Sequence, residues 1–530
     1  MKTRIHHLIT DTAKRYPTNI AVKHKEESID YHSLATLVTK VAVGYQQLGL
    51  KRSERIAIYL PKLIETVAAC FGASLADGVM VPVNPALKPQ QVRYILKDCN
   101  ARILVTTSQR AAQLREILPS CHDLYTLVII DNNPLNFEPP AHITTITWDA
   151  ITRLSNSAPV NQNIDRDMAA ILYTSGSTGQ PKGVVLSHHN MITGAESVAS
   201  YLNNHQADKI LSLLPLSFDY GFSQLTTAFI IGAQVVLLDY LLPREVLNII
   251  VREQITGLAA VPTLWTQLAP LSWHGEIKET LRYITNSGGA LPNTTLETLR
   301  RELPETDIYL MYGLTEAFRS TYLPPDEIGQ KPGSIGKAIP NADVMVLRED
   351  GSPCDPGEVG ELVHRGPLVA LGYWNNPEKT AKRFKPLPSP NGGGATEEIV
   401  VWSGDKVRMD EEGYLYFIGR EDEMIKVSGY RVSPTEIEEV LYKSGLIGEG
   451  VVFGVPHPAL GQAIIAIVTP QENQADTISS ALEKCCKQAL PAYMVPQQII
   501  IEEALPKNPN GKIARTELSK KYRPYYSVIS

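Results

Sequence analysis

Residues 171–190 read ILYTSGSTGQPKGVVLSHHN and set Thr174, Ser175, Ser177 and Thr178 among Gly176, Gly179 and Gly183, with Lys182 as the one cation. Backbone N–H groups and hydroxyls in such a run can wrap an anion, glycine permits the close backbone approach, and the lysine adds charge. The guest that this chemistry suits is a phosphate. Lys182 is followed by Gly183 rather than Ser or Thr, so the run is not a Walker-type loop. Gly/Ser-rich runs are more often surface linkers, but a linker seldom lies between two apolar segments such as 169–172 and 184–186. Further charges stand in short motif-like strings: Glu316 in YGLTE (312–316), Asp405 in WSGDKVRM (402–409), Arg420 and Asp422 in IGREDEMIKVSGYR (418–431), and Lys512 in LPKNPNGKIAR (505–515). A carboxylate can accept two hydroxyl hydrogen bonds or hold a hard cation, and an aromatic face such as that of Tyr312 suits a purine. Taken singly, each charge reads equally well as a helix cap, a surface ion pair or a solvated group.

Those residues span 171 to 512, so a large scaffold has to bring them together. At 530 residues the chain divides into about three or four units. An apolar fraction of 43% and a charged fraction of 20% are those of a soluble globular enzyme. A net charge of -6 favours neither nucleic acid nor an anionic membrane, so any phosphate site is local. The six cysteines show no C-x-x-C or Cys/His ligand spacing, and reduced thiols are expected. Ile5, Leu8, Ile9 and Ala13 recur at helical spacing without the apolar core of a signal peptide. The longest apolar stretch, 225–238, is broken by Gly232 and Gln234 and is too short for a bilayer. The expectation is a cytoplasmic enzyme.

From about 29 to 159 apolar strands alternate with helical patterns (ERIAIYL, IETVAACFGASLADG, VMVPV, KPQQVRYILKDC, ARILVTT), and the alternation resumes with KILSLLPL, AQVVLLD, GLAAVP and YITNSGG. This predicts an α/β chain with two α/β subdomains and mostly parallel sheets. After Tyr322 short strands with turn signals predict a small all-β unit, 385–398 reads as an exposed loop, and beyond a boundary near Gly419 comes a compact α+β pattern.

The string YTSGSTGQPKG resembles the phosphate-binding signature of the adenylate-forming superfamily, which includes acyl-CoA ligases, luciferases and the adenylation domains of nonribosomal peptide synthesis. Six further strings match at their expected places, among them YWNNPEKT (373–380) and VPVNP (81–85), which read as fold markers. The resemblance implies a large N-terminal domain over 1–418, made of the two α/β subdomains and a β-barrel-like subdomain, a hinge at 419–422 containing Asp422, and a mobile C-terminal domain over 423–530. It implies ATP and Mg2+ as cofactors. It places Thr174, Ser175, Gly176, Ser177, Thr178, Gly179 and Lys182 on phosphates, Gly288, Gly289, Ala290 and Gly313 along the nucleotide, Tyr312 on adenine, and Asp405 and Arg420 on the ribose. Thr315 falls on the α-phosphate, Glu316 on the metal, and Lys512 on the substrate carboxylate and α-phosphate. Ser403 stands where threonine is usual and keeps the hydroxyl. The implied chemistry is attack of a carboxylate on the α-phosphate of ATP, giving acyl-AMP and pyrophosphate. The C-terminal domain then rotates, and a phosphopantetheine thiol attacks the adenylate in a tunnel lined by Ser428, Gly429 and Tyr430. Catalysis of the first step is electrostatic, since two anions have to be brought together.

The string LPLSFDYGFSQL (214–225) bears on the acid. Many acyl-CoA ligases carry His where Phe218 stands, whereas amino-acid adenylation domains carry Asp at the place of Asp219 to bind the α-ammonium group. An acid in an apolar segment is costly to bury without a cation, and a substrate ammonium would provide one. Asp219 reads equally as a helix cap. Tyr220, Phe222, Val261, Trp265, Ser287 and Met311 complete the expected pocket wall, and Arg319 has no assigned role. SFDYG with YGLTEAFRSTYLPP resembles free-standing prolyl-carrier-protein adenylation enzymes such as that of the anatoxin pathway, and similar strings occur in exosortase-associated acyl ligases. The expectation is a stand-alone ligase that loads L-proline onto a phosphopantetheinylated carrier protein, with no nucleic-acid or membrane partner. The alternatives are a CoA or carrier-protein ligase for a non-amino acid, a luciferase-like oxygenase, or a pseudoenzyme that docks carriers. Retention of Lys182, Glu316, Asp405 and Lys512 together argues against the last.

Overall fold

The structure is a computed structural model that describes residues 3–131, 133–153, 158–174, 181–273, 275–388, 398–421, 423–427, 430–457, 460–471 and 478–526. Among these, three sheets of eight, fourteen and five strands organise the chain. In the eight-stranded sheet Arg55–Tyr59, Val79–Pro82, Ala101–Thr106, Thr126–Ile129 and Thr144–Thr147 run parallel, with helices such as Ile64–Leu75 and Pro89–Asp98 between strands. This is the alternation read from the sequence. Its antiparallel rim is the pair Met168–Thr174 and Lys182–Ser187, extended by the two-residue strand Gly372–Tyr373.

The fourteen-stranded sheet has a parallel centre, Lys209–Ser212, Gly257–Ala260, Tyr283–Asn286 and Asp307–Tyr312. Ligands of open α/β sheets bind beyond the carboxyl ends of such strands. Here those ends lead into 213–219, Val261, 287–290 and 313–316, which contain Asp219, Val261, Ser287 with the three residues after it, Gly313, Thr315 and Glu316. The antiparallel all-β unit, with strands from Ser334–Ala338 to Leu415–Arg420, is continuous with this sheet, because Ser334–Ala338 pairs with both Thr321–Leu323 and Leu415–Arg420. Leu415–Arg420 belongs to the large sheet and Ile425–Val427 to the small one, so the chain changes sheets between 420 and 425. The small sheet packs the helices Pro434–Lys443 and Ile478–Ala489 on Ile437, Leu441, Ile464 and Leu482.

The helix Asp219–Ile231 is central to both packing and site. It has no solvent face: every residue from Asp219 to Ile230 is buried, as in a helix packed on all sides. It starts abruptly because Gly221 lies against the chain before it, where a Cβ would meet Pro215 O at 2.1 Å. It ends at Gly232, whose φ of +86° is the left-handed cap that glycine adopts without strain. Among the described residues no helix is long and apolar enough to cross a membrane.

Candidate active site

Thr174 and Lys182 face each other across the antiparallel pair that the glycine-rich segment connects. Ser175, Gly176, Ser177, Thr178 and Gly179 lie outside the described residues, as do Asp422, Ser428 and Gly429, and only the backbone of Tyr430 is described, in Tyr430–Val432. Lys182 Nζ stands 5.2 Å from the centre of the Tyr373 ring, and Tyr373 Oη donates to Glu316 Oε1 at 2.6 Å. Burial lowers the Lys182 pKa, while the Glu316 carboxylate raises it. The YWNNPEKT string is thus more than a fold marker. Tyr373 links the lysine of the glycine-rich segment to the carboxylate of YGLTE, and the strand it sits on is the signal that could have found it.

Thr315 and Glu316 lie on the 3-10 turn Thr315–Ala317 that follows Asp307–Tyr312, with Thr315 buried and Glu316 half-buried. Tyr312 Oη donates to Asp405 Oδ2 at 2.5 Å, and Arg420 Nε lies 3.7 Å from Asp405 Oδ1. Asp405 and Arg420 are register partners on neighbouring strands, which fixes their separation by sheet geometry. Ser403 Oγ accepts from the Asp405 N–H at 3.0 Å and donates to Leu362 O at 2.6 Å, so the hydroxyl retained in place of threonine holds this turn. Burial raises the Asp405 pKa and Arg420 opposes it.

Lys512 reaches this centre from the C-terminal unit. A tight loop presents it: Asn508 Oδ1 accepts from the N–H groups of Asn510 and Lys512, both at 3.0 Å, and Gly511 takes φ +80°. Two hydrogen bonds seat the loop on the large domain, Asn84 Nδ2 to Pro509 O at 2.9 Å and Thr263 Oγ1 to Gly511 O at 2.6 Å. Asn84 belongs to VPVNP, the second string read only as a fold marker. Lys512 lies over Gly288, where a Cβ would meet its Cε at 2.8 Å, so φ +84° and lack of a side chain are both needed there. Its Nζ is 5.3 Å from the centre of the Phe218 ring. Burial lowers its pKa, and Asp219 and Asp405 act against that from opposite sides. Gly289 and Ala290 are exposed beside it, and a Cβ on Gly313 would meet Arg319 Cα at 3.2 Å.

On the acyl side, Asp219 is the first residue of its helix, behind Phe218 at the N-cap, and is buried. The sequence argument that a substrate ammonium must neutralise it needs correction, because Arg319 Nη1 stands 3.4 Å from Asp219 Oδ2, both side chains nearly inaccessible. Burial raises the Asp219 pKa, with Arg319 and then Lys512 opposing. Tyr220, Phe222, Val261, Trp265, Ser287 and Met311 are all buried, and the Tyr220 ring lies against the Arg319 guanidinium. Tyr220 Oη donates to Thr285 O at 2.9 Å, and Trp265 Nε1 donates to Ala260 O at 3.1 Å and Thr285 O at 3.2 Å, which fixes both rings. A cavity of about 340 Å³ is lined by Asn84, Leu216, Ser217, Val261, Thr263 and Asn510 among others.

A family model described as AMP-binding enzyme matches residues 9–374, and one described as AMP-binding enzyme C-terminal domain matches 436–512. The chain therefore belongs to the AMP-binding enzymes of the adenylate-forming superfamily. It is 29% identical to a long-chain-fatty-acid–CoA ligase of Bacillus subtilis, over 96% of this chain and 93% of that protein. It is 30% identical to a delta-poly-L-ornithine synthetase of Acinetobacter baumannii over 98% of its own length, which is 37% of that synthetase. Among solved structures it resembles an o-succinylbenzoate coenzyme A synthetase of Bacillus subtilis in complex with ATP and magnesium ion, at 25% identity and a TM-score of 0.79, covering 97% of this chain and 99% of that one. The chain is an AMP-forming ligase that uses ATP and Mg2+. Among the described residues no group of three or more His, Cys, Asp or Glu could hold a metal. One carboxylate, Glu316, with one oxygen engaged by Tyr373, nevertheless fits a Mg2+ that takes its other ligands from water and nucleotide phosphates.

Proposed function

We propose that this enzyme activates a compact carboxylic acid as its acyl-adenylate and passes the acyl group to a phosphopantetheine thiol. The observation that carries the proposal is the seat of Lys512, over Gly288 and between the fields of Asp219 and Asp405. There it can meet a carboxylate and an α-phosphate together and offset the charge that gathers as they react. In this reading the glycine-rich segment and Lys182 hold phosphates with Thr315, Gly313 and 288–290 beside them, Tyr312 lies against adenine, and Asp405 and Arg420 take the ribose. Glu316 would hold the metal that supports phosphate charge. Asp422 serves as hinge for a turn of the unit over 423–530, after which Ser428, Gly429 and Tyr430 line the path of the thiol. The fixed rings of Tyr220 and Trp265 support a short acid over a long chain.

L-proline, loaded onto a carrier protein, is the acid expected from the motifs, and it rests on that resemblance alone, because Arg319 already faces Asp219. A second reading, a non-amino acid transferred to a carrier protein or coenzyme A, is favoured by the countercharge that Arg319 already supplies. Acid-dependent exchange of pyrophosphate into ATP tests both, with L-proline, cyclopentanecarboxylic acid and a medium-chain fatty acid, followed by thioester assays on coenzyme A and on a phosphopantetheinylated carrier. Activity confined to the long acid would refute the compact site, and failure of every acid would refute activation itself.

A further inference from the structure

Among the described residues one arginine is fully enclosed, and it takes no part in the activation chemistry just described. Arg319 is 2% exposed and ranks among the largest fully buried side chains. Besides the 3.4 Å contact to Asp219 Oδ2, its Nη1 donates to Phe318 O at 3.0 Å and its Nη2 to Ser223 Oγ at 2.8 Å. Its guanidinium lies 4.7 Å from the centre of the Tyr220 ring and 5.7 Å from that of Phe318. The backbone aims it inward at a cost: Phe318 has φ +55°, a conformation that a bulky side chain adopts only under constraint. The Arg319 N–H closes the turn on Ala317 O at 2.6 Å. Hydrogen bonds, ring contacts and a strained turn together hold this arginine against Asp219 and leave it no route to solvent.

We propose that Arg319 is a specificity-determining residue of the acyl site, the built-in countercharge of Asp219, which selects a compact carboxylic acid bearing no ammonium group. The inference rests on the reading of the site as one that adenylates acids. A buried carboxylate without a cation draws one in, and this is how an aspartate recognises an ammonium group. Here the requirement is met before the acid arrives. An ammonium at Asp219 would join two cations that already act on this carboxylate, Arg319 at 3.4 Å and the field of Lys512, in surroundings from which water is excluded. An uncharged ring adds no such repulsion. Asp219 Oδ1 and Arg319 Nε are buried and, among the described residues, make no hydrogen bond, so the pair offers one acceptor and one donor to a neutral group such as a hydroxyl.

The test compares specificity constants for L-proline and cyclopentanecarboxylic acid in the exchange assay, a ratio that a general loss of stability leaves unchanged. The wild type should favour the uncharged acid. Arg319→Met, which strands Asp219, should shift the ratio toward L-proline by about tenfold or more. Arg319→Lys, which keeps the charge, should stay within about threefold of the wild type. Should Arg319→Met not fold, the double variant Asp219→Asn with Arg319→Met, which removes both charges, should still favour the uncharged acid. A wild type that prefers L-proline, or a ratio unmoved in a folded Arg319→Met, overturns the inference while leaving activation intact. Exchange with no acid at all overturns both.

Discussion

The ribose corner and the acyl corner each bury a carboxylate beside an arginine, and they differ in what the arginine can do next. Asp405 meets Arg420, whose side chain is 43% exposed and sits at the end of the last strand of the large sheet, next to the crossing into the C-terminal unit. Asp219 meets Arg319, 2% exposed and held by Phe318 O and Ser223 Oγ. Burial raises both carboxyl pKa values, and each acid has an Oδ1 with no hydrogen bond among the described residues. In the proposed cycle a cation at that boundary follows the C-terminal unit, so the corner proposed for the ribose would exchange partners. A cation locked in the core makes the charge of the acyl corner a fixed property of the fold.

The sharpest way to break this comparison is to remove each carboxylate in turn. Asp219→Ala strands a fully enclosed guanidinium and should lower stability by about 3 to 5 kcal/mol. Asp405→Ala leaves an arginine that water can reach and a Tyr312 hydroxyl without its acceptor, and the loss should be smaller, about 1 to 2 kcal/mol. Urea unfolding of the two variants side by side measures the difference, and equal losses would mean that the corners are built alike.

Lys512 serves both corners and should give the next largest effect. Lys512→Ala should slow adenylate formation about 10²- to 10³-fold, the scale of a lost transition-state donor. Thioester formation from supplied acyl-adenylate should change little, because that step uses the other face of the C-terminal unit in the proposed cycle. Rapid-quench measurement of the two half-reactions separates them, and equal loss in both would detach Lys512 from the first step.

A smaller effect follows from the lowered Lys512 pKa. The lysine acts as a cation, so kcat/KM for adenylation should decline as pH rises through a value below the ordinary lysine range, and Lys512→Arg should move that decline upward. The stability effect has the opposite sense. Between the lowered value and the ordinary one the unfolded chain holds more protons on this lysine, so its contribution makes the fold more stable as pH increases across that window. A profile with no alkaline decline in the first half-reaction would show that the lysine keeps its ordinary affinity for protons.

Much of this was legible in the residues and some was not, for physical reasons. Alternating strand and helix patterns gave the two α/β units because each buries one period of apolar side chains, a local property. The residues proposed for ATP stand in short strings, and the structure brings Tyr312, Glu316, Asp405 and Arg420 within one region through Tyr373 and the Asp405 carboxylate. Continuity of the all-β unit with the large sheet was not, since one strand, Ser334–Ala338, pairs with neighbours on both sides and nothing in five residues announces it. Asn84 and Tyr373 stood inside recognised strings but act on partners hundreds of residues away or on another sheet. The Arg319–Asp219 pair lay beyond sequence reasoning altogether. The two residues are 100 positions apart, and only a strained turn at Phe318 makes them meet.

The finest probe of the comparison is the contact that brings Lys512 to the site. Thr263 Oγ1 donates to Gly511 O at 2.6 Å, one residue before the lysine, and Asn84 Nδ2 donates to Pro509 O on the same loop. Thr263→Val keeps the shape of the side chain and removes only the donor, at a cost of about 0.5 to 1.5 kcal/mol, or roughly two- to tenfold. If the corners differ as argued, this loss falls on the step in which the C-terminal loop is docked, so adenylation slows while thioester formation from supplied adenylate does not. Asn84→Ala should act in the same direction, and the pair should be more than additive if both hold one loop, since either bond alone still limits its motion. Because neither residue touches Arg319, the preference between charged and uncharged acids should stay as it is in the wild type. A change in that preference would mean that the acyl corner, too, depends on the position of the C-terminal unit, and the division between a corner that moves and a corner that is fixed would fail.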